Sequence, residues 1–406
     1  DEERAELLER LGTAADPNVW ERITREGRSA ARELDERLRE LSPEELNDFL
    51  RSADPEELRR FADILRADSR DGFLWTDAGD WDYIDTWSYL LRTADPDLHD
   101  KIHEAFPESQ PDPTSWVDDQ ERDDPREVKH DWDCPGHDHL FPDEEMQQRI
   151  LESMAEQREG LPSEHGREFE PWMAMAQGGY GDCWMLADLQ AIVQHDPTWP
   201  ERHVRLNPEN GTVDVTLYNA DGEPIVVTVT DDLPVSESGT DHQGATAGSS
   251  ARGPFGDADA AALWPAYVEK AMAAIYQDNG AGLDPGSYET IVGDRHQGVP
   301  YFLPHGEVTQ VRGNDQMVEM LQNSGGDQPI TVSSHPKDSP EAKAAAHANP
   351  AYVSGHRFVY SESYTINGET HYEFVNPWGP HAEPLVIAES ELDMYFRRAT
   401  RIEGQE

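Results

Sequence analysis

The sequence predicts an α+β fold, because two kinds of pattern follow one another along the chain. Residues 1–110 carry apolar side chains at helical spacing, with well-marked helix starts. From residue 167 onward, alternating apolar and polar residues predict strands between helices. We therefore expect a helical N-terminal domain at 1–110, an irregular linker and helix at 111–166, and a mixed domain at 167–403.

The N-terminal region is defined by its helix starts. The motifs that begin at Ser42 and Asp54 both read cap, Pro, Glu, Glu, which places a proline in the first turn and a glutamate where it closes a capping box. Leu34, Leu38 and Leu41 share one helix face. These patterns predict short amphipathic helices that pack through their leucines.

The linker is rich in proline, aspartate and histidine and has no regular period. Within it, KHDWDCPGHDH brings together residue types that bind zinc: His130, Cys134, His137 and His139. One such cluster without a second pair is a weak metal signal, so a polar or capping loop is the preferred interpretation and no cofactor is expected. A helix is predicted from Asp143 to about Gln157.

The mixed region begins with a helix and a hairpin. The strand-like runs at 211–218 and 224–230 are separated by Asn-Ala-Asp-Gly, a good hairpin turn. A Gly- and Ser-rich sequence at 236–256 predicts a surface loop, and an amphipathic helix is expected at 258–276.

A candidate nucleophile lies in QGGYGDCW at 177–184, directly before an apolar, helix-compatible run. A helix N-terminus lowers the pKa of a thiol, and the thiolate is the nucleophilic form. Cys183 stands where that helix should begin. Across the glycine-rich turn, the amide of Gln177 is suited to stabilise the oxyanion that forms when a carbonyl is attacked.

Partners for the thiol occur in the C-terminal part. His356 follows Gly355 at the start of a strand-like run, and Asn376 begins NPWG at the end of the next one. A histidine base and an asparagine that holds its tautomer would complete a Cys-His-Asn triad. Trp378 is placed to shield the Asn-His bond from water.

These motifs resemble those of the calpain family of papain-like cysteine peptidases, and they occur in the family's order. The resemblance also extends to IVVTVTDDLP, LWPAYVEKA, GSYE and ESELDMYF, and it covers roughly residues 167–403. It implies a papain-like core of two lobes, with the nucleophile on a helical lobe and the base on a sheet-rich lobe. It also implies protein or peptide substrates.

The resemblance predicts where substrate would lie. Gly355 and Trp378 are expected to line the substrate cleft, since a Cβ at Gly355 would crowd a bound peptide backbone; a turn requirement explains this glycine equally well. His371, which precedes the asparagine on the same strand, is the main rival of His356 as the base.

Calcium control is not expected from the motifs. Glu269 aligns with an acidic calcium ligand of calcium-regulated calpains, but Ala174 and Pro380-His-Ala stand where other acidic ligands occur. Calcium needs six to eight oxygen ligands, so one carboxylate makes a poor site. The sequence also has no EF-hand loop motif. The resemblance is therefore to calpains of the bacterial or archaeal type, which have no EF-hand module.

The amino-acid composition bears on which kinds of molecule the chain binds. The chain has 83 acidic and 33 basic residues and a formal charge of −50, which argues against nucleic acid and anionic membranes as partners. No apolar run reaches the roughly 18 residues of a membrane span. Adaptation to high salt is one hypothesis for this charge, and ordinary acidic solubility is the other. With only Cys134 and Cys183, a structural disulfide is not expected.

The sequence therefore predicts a cysteine endopeptidase that acts through an acyl-thioester. Two alternatives stay open: a Cys-His-Asn acyltransferase or deamidase, and a non-catalytic binding module on a peptidase fold. The N-terminal helical domain is interpreted as regulatory or as a delivery domain. The chain starts at Asp1 rather than Met, and its localisation, as a cytoplasmic protein or an exported effector, is left open.

Overall fold

The computed structural model describes residues 27–66, 78–112, 126–129, 140–158, 168–178, 180–219, 221–235, 246–247, 263–276, 284–293, 299–324 and 328–404. The histidine and cysteine cluster at 130–139 and most of the loop predicted at 236–256 lie outside these residues.

The fold is α+β, with a helical region before the mixed region, as the sequence predicts. The described α-helices are α1 Arg28–Leu38, α2 Pro43–Ser52, α3 Pro55–Arg66, α4 Ala78–Thr93, α5 His99–Ala105, α6 Glu144–Gln157, α7 Cys183–His195, α8 Trp199–His203, α9 Trp264–Ile275, α10 Val299–Phe302, α11 Asn314–Ser324, α12 Pro340–Ala348 and α13 Leu392–Tyr395. The described strands are β1 Arg126–Lys129, β2 Met175–Ala176, β3 Val204–Asn207, β4 Thr212–Tyr218, β5 Pro224–Thr230, β6 Asp232–Val235, β7 Thr246–Ala247, β8 Glu307–Val311, β9 Ile330–Ser334, β10 Arg357–Ile366, β11 Glu369–Val375, β12 Leu385–Ala388 and β13 Phe396–Glu403.

Local signals in the sequence explain several boundaries. The capping box predicted at Ser42 is confirmed, with Ser42 Oγ accepting from the Glu45 N–H and the Glu45 carboxylate accepting from the Ser42 N–H. Asp143 caps α6 by accepting from the Met146 N–H. The hairpin of β4 and β5 is also confirmed, and Asn219 Oδ1 accepts two backbone N–H groups in its turn. These contacts join residues close in sequence, which is why patterns could predict them.

The strands form two principal antiparallel sheets. The larger has the order β12-β11-β10-β9-β13-β8, and the smaller has the order β3-β4-β5. Of the central strands, β9 is buried along its whole length, whereas β10 is buried only over its first four residues. Two further pairs, β1 with β6 and β2 with β7, are short.

The buried side chains form two hydrophobic clusters. One fills most of the six-stranded sheet and its helices α11, α12 and α13. The other is continuous from α1 through α9, so the N-terminal helices and the helix that begins at Cys183 share it. Two separate hydrophobic clusters are consistent with a core of two lobes.

The N-terminal helical region packs directly on the smaller sheet. Ser88 Oγ on α4 accepts from the Thr228 N–H on β5 at 2.9 Å. Asn210, in the β3–β4 turn, donates to the backbone oxygens of Arg92 and Ala94 at the end of α4. The domain limits predicted at 110 and 166 stay predictions, but the helical region and the smaller sheet bury one common interior.

Helix α6 contacts the larger sheet through its C-terminal end. Arg158, at its C-terminal end, donates two hydrogen bonds to Glu373 on β11, the nearer at 2.6 Å, and both side chains are buried. Tyr364 also donates to Glu373. None of the described helices is both long and apolar enough to cross a membrane.

Candidate active site

The site forms where the start of α7 meets the larger sheet. Cys183 is the first residue of α7, and its thiol is buried. His356 directly precedes β10, and Asn376 directly follows β11, its neighbour in the sheet. Adjacent antiparallel strands bring the start of one beside the end of the other, so the sheet places these two side chains together.

The His356 and Asn376 side chains are joined by a hydrogen bond. Nε2 of His356 lies 2.8 Å from Oδ1 of Asn376. The same oxygen accepts from the Trp378 backbone N–H at 3.0 Å, which identifies it as the oxygen of the amide. The imidazole therefore donates through Nε2 and keeps Nδ1 as an acceptor.

Trp378 covers this bond. Its ring centroid lies 5.1 Å from that of His356, at an interplanar angle of 52°, while 43% of its surface remains exposed. A large, half-exposed aromatic ring beside a buried polar pair limits the access of water to the pair. The ring also presents an apolar surface at the mouth of the site.

Two further contacts bring the halves of the site together. The Gln177 N–H donates to the Pro377 oxygen at 2.6 Å, and a Cβ on Gly379 would lie 2.8 Å from that of Ala176. The segment before the nucleophile and the segment after Asn376 are thus in direct backbone contact, and residue 379 has no room for a side chain.

The thiol of Cys183 is strongly perturbed by burial, which raises its pKa to about 11. The Arg357 backbone acts against this as a hydrogen-bond donor, and the Arg357 charge also lowers the pKa, whereas the charge of Asp182 raises it. The imidazole hydrogen bond goes to Asn376; within the described residues none joins His356 to the thiol.

Burial also lowers the pKa of His356 to about 4, with the hydrogen bond to Asn376 opposing the change. The base candidate is therefore neutral near pH 7 and able to accept a proton. Burial raises the pKa of Asp182 to about 6, while hydrogen bonds to Glu269 and Gln177 favour its ionised form. Asp182 and Glu269 are both fully buried.

Gln177 is engaged in an internal network. Its Nε2 donates to the Tyr180 oxygen at 2.6 Å and to Asp182 Oδ1 at 3.1 Å. An oxyanion therefore competes with these acceptors for the amide protons. The position of Gln177 in front of α7 agrees with the predicted arrangement, and its role stays a prediction.

Two predicted site residues remain, Gly355 and His371, and their positions in the fold explain them. Gly355 has a φ of 63° and donates to the His335 oxygen, so its backbone conformation favours glycine. His371 lies five residues before Asn376 along an extended strand, about 16 Å from it, and pairs with Ala388 and Tyr364. It is too distant to replace His356.

Sequence reasoning missed one buried ion pair beside the thiol. Arg357 directly follows His356 and binds Asp188 on α7. A single carboxylate in the apolar run after Cys183 was the available signal, because a buried carboxylate needs a cationic or hydrogen-bonded partner. The partner lies 169 residues away and could not be identified from spacing.

The described residues contain no cluster of three or more histidine, cysteine or acidic side chains arranged to hold a metal ion. The calcium position suggested by Glu269 has too few ligand atoms for calcium, because Glu269 is hydrogen-bonded with Asp182 and Ala174 has no ligand atom in its side chain.

Comparison with known families gives one match. A sequence model of the calpain family of cysteine proteases matches residues 168–383, just over half of the chain. The matched range includes Gln177, Cys183, His356 and Asn376 and excludes the N-terminal helical region. A comparison with curated proteins found no match.

Proposed function

The chain belongs to the calpain family of cysteine proteases, and we propose that it is an endopeptidase that hydrolyses peptide bonds in protein substrates through an acyl-thioester on Cys183. The observation that carries the proposal is the 2.8 Å hydrogen bond between His356 and Asn376, formed beside the helix start that bears the thiol. This is the orientation that a histidine base needs.

In the proposed first step, Nδ1 of His356 accepts the thiol proton as the sulfur of Cys183 attacks the carbonyl carbon of the scissile bond. A C–S bond forms, and the carbonyl oxygen takes the negative charge. The imidazolium then gives its proton to the nitrogen of the leaving amine, and the C–N bond breaks. Asn376 accepts from Nε2 throughout, which keeps the ring oriented.

In the second step, water replaces the amine. His356 accepts a proton from water, whose oxygen attacks the thioester carbon, and the C–S bond breaks. The imidazolium then returns this proton to the sulfur, so the products are a carboxylic acid and the free thiol, with no net change in the enzyme. Burial leaves the imidazole neutral and the thiol protonated near pH 7, with the pKa of His356 lowered to about 4 and that of Cys183 raised to about 11, so proton transfer between them is uphill in the free chain.

The oxyanion is proposed to be held by the Cys183 backbone N–H and by the Gln177 side chain. Residues in the first turn of a helix have N–H groups without intrahelical acceptors, so the Cys183 N–H is available. Gln177 would redirect one amide N–H from its hydrogen bond with Asp182 or Tyr180 to the oxyanion. The charge that develops in the transition state makes the oxyanion the stronger acceptor.

We propose that catalysis does not depend on calcium. The support comes from Glu269, which is buried against Asp182 instead of facing solvent, and from Ala174, which lacks a ligand atom. Hydrolysis of a peptide substrate should be the same in EGTA and in added calcium. Activity that disappears in EGTA and returns with calcium would contradict this part of the proposal.

We further propose that the helical N-terminal region supports the lobe that carries Cys183, in addition to any regulatory or delivery role. The support comes from their continuous hydrophobic cluster and from the hydrogen bonds of Ser88 and Asn210. The region would then act on activity through the stability of that lobe.

The decisive experiment identifies new protein N-termini in a proteome treated with the chain, with Cys183→Ala as the control. New termini that require Cys183 are expected. Ammonia release without new termini would instead indicate a deamidase or acyltransferase. A thiol that fails to react with an epoxysuccinyl probe, together with no new termini, would favour a binding module.

A further inference from the structure

A buried ion pair lies beside the candidate catalytic residues and joins the two lobes. Nη1 of Arg357 lies 2.9 and 2.8 Å from the two carboxylate oxygens of Asp188. The exposed fraction is 2% for Arg357 and 0% for Asp188. Asp188 belongs to α7, which begins at Cys183, and Arg357 begins β10 directly after His356. The pair therefore connects the helix of the thiol to the strand of the imidazole.

The guanidinium also contacts the helix backbone. Nη1 of Arg357 donates to the Trp184 oxygen at 3.2 Å, one residue after the thiol. Asp188 Oδ1 accepts a second hydrogen bond, from Thr331 Oγ1 on β9 at 3.1 Å. The carboxylate is thus fixed from two strands of the sheet, and the arginine is fixed at two points of α7.

A buried ion pair is an energetically unfavourable way to hold α7 against β10. Both charges are removed from water, and well-packed apolar side chains of similar volume often stabilise a fold as well or better. A buried ion pair at this position is therefore poorly explained by stability alone. Its position, one residue from His356 and five from Cys183, points to the reacting groups.

Charges around the sulfur support a functional explanation. The charge of Asp182, at the start of α7, raises the pKa of Cys183, whereas the backbone N–H and the charge of Arg357 lower it. His356, whose side chain is hydrogen-bonded to Asn376, is neutral near pH 7 and adds no charge. Arg398 on β13 lies near the pair as well: burial and the charge of Arg357 lower its pKa to about 10, and Asp188 raises it.

We propose that Arg357, oriented by Asp188, is a positioning residue that fixes α7 against the strand of His356 and favours the ionised sulfur of Cys183. The catalytic part of this inference rests on the proposed function. The effect on the sulfur does not, because the reactivity of a thiol can be measured without a substrate.

The test replaces both charges together, as Asp188→Leu with Arg357→Met, so that no unpaired charge remains buried. The rate constant for Cys183 alkylation by iodoacetamide is measured from pH 7 to 9, with Cys134→Ser in every variant so that one thiol reacts. We expect it to fall severalfold at each pH, since the charge of Arg357, which lowers the pKa of Cys183, is lost while its backbone N–H remains. With a cleaved peptide as substrate, kcat should fall about tenfold or more.

Two variants serve as controls. The matched buried pair is Arg158 and Glu373, whose charges are not among those that shift the pKa of Cys183, and it is replaced as Arg158→Met with Glu373→Gln. This replacement should leave the alkylation rate constant unchanged. Arg357→Lys keeps a cation and the backbone N–H beside the sulfur and should restore the wild-type rate constant.

The outcomes separate this inference from the proposed function. A folded double variant with the wild-type alkylation rate constant would overturn the role of Arg357, whatever its kcat. If the variant with the apolar pair does not fold, Asp188→Asn with Arg357→Gln keeps a neutral hydrogen-bonded pair. Its alkylation rate constant then tests the role of Arg357 in the same way. A lowered rate constant in a chain that cleaves no protein would support the role of Arg357 and contradict only the peptidase proposal.

Discussion

Oδ1 of Asn376 accepts from Nε2 of His356 at 2.8 Å and, at the same time, from the Trp378 backbone N–H at 3.0 Å. With two donors on one oxygen, the amide orientation is determined, and so is the tautomer of the imidazole. The residue that orients the base is therefore itself held by the backbone two residues later. This backbone contact accounts for the spacing between Asn376 and residue 378, while the indole ring of Trp378 packs beside His356.

Asn376→Ala should reduce kcat for peptide hydrolysis about a hundredfold, because Nε2 then loses the acceptor that fixes its tautomer. KM should change little, since Asn376 is buried behind His356. Steady-state kinetics on a cleaved peptide provide the measurement. Asn314→Ala, which also removes two hydrogen bonds but at the start of α11, is the control and should keep kcat. Equal kcat in both variants would contradict the role of Asn376.

Gln177→Ala should lower kcat by about a hundredfold or more while the alkylation rate of Cys183 stays the same, because an oxyanion donor acts on the transition state and not on the thiol. Kinetics and iodoacetamide labelling are compared on one preparation. Gln190→Ala removes another buried amide, which donates to the Trp172 oxygen, and is the control. An unchanged kcat would show that Gln177 serves only its contacts with Tyr180 and Asp182.

Removal of residues 1–112 should abolish cooperative unfolding of the remaining chain. The reason is that the smaller sheet, which includes β5, would lose the helices that complete its hydrophobic cluster. Thermal unfolding followed by circular dichroism provides the measurement. A chain that begins at Gly27 keeps every described helix and is the control. A shortened chain that melts cooperatively at the full-length temperature would establish an independent domain boundary.

Acidification from pH 7.5 to 5.5 should destabilise the protein partly through His203. Burial lowers its pKa in the folded state to about 4, against about 6.5 when unfolded. The unfolded chain binds more protons between these values, so the stability contributed by His203 is present above pH 6.5 and lost as the pH falls. The expected loss at pH 5.5 is about 1 kcal/mol.

His203→Gln should therefore flatten the dependence of Tm on pH, whereas His347→Gln, at an exposed position of α12, should not. His356, with its pKa also lowered to about 4, contributes in the same direction. Asp182 contributes in the opposite direction between about pH 3.8 and 6, since its pKa is raised. An unchanged slope in His203→Gln would contradict the assignment.

Thermal stability should increase with NaCl concentration. The formal charge of −50 produces repulsion within the folded chain, and salt shortens the Debye length to roughly 3 Å at 1 M. Melting is measured from low salt to multimolar NaCl, with KCl as a second salt at equal ionic strength. A Tm independent of both salts would leave ordinary acidic solubility as the explanation of the charge.

The sequence by itself determined the fold class, the hairpin at Asn219, the cap at Ser42 and the family. Each of these depends on residues close in the chain, where a side chain and a backbone group meet within one turn, or on short motifs such as QGGYGDCW and NPWG. The three residues proposed as the triad were also found in this way, although nothing local proves their roles.

Only the tertiary structure decided which charges are buried and what they face. Asp188 and Arg357 meet across 169 positions, and the contact of Asp182 with Glu269 arises only when α7 packs beside α9. The packing of α4 on β5 likewise joins two regions that the sequence pattern separates. Burial and the desolvation of charge depend on every neighbour in space, so no spacing along the chain determines them.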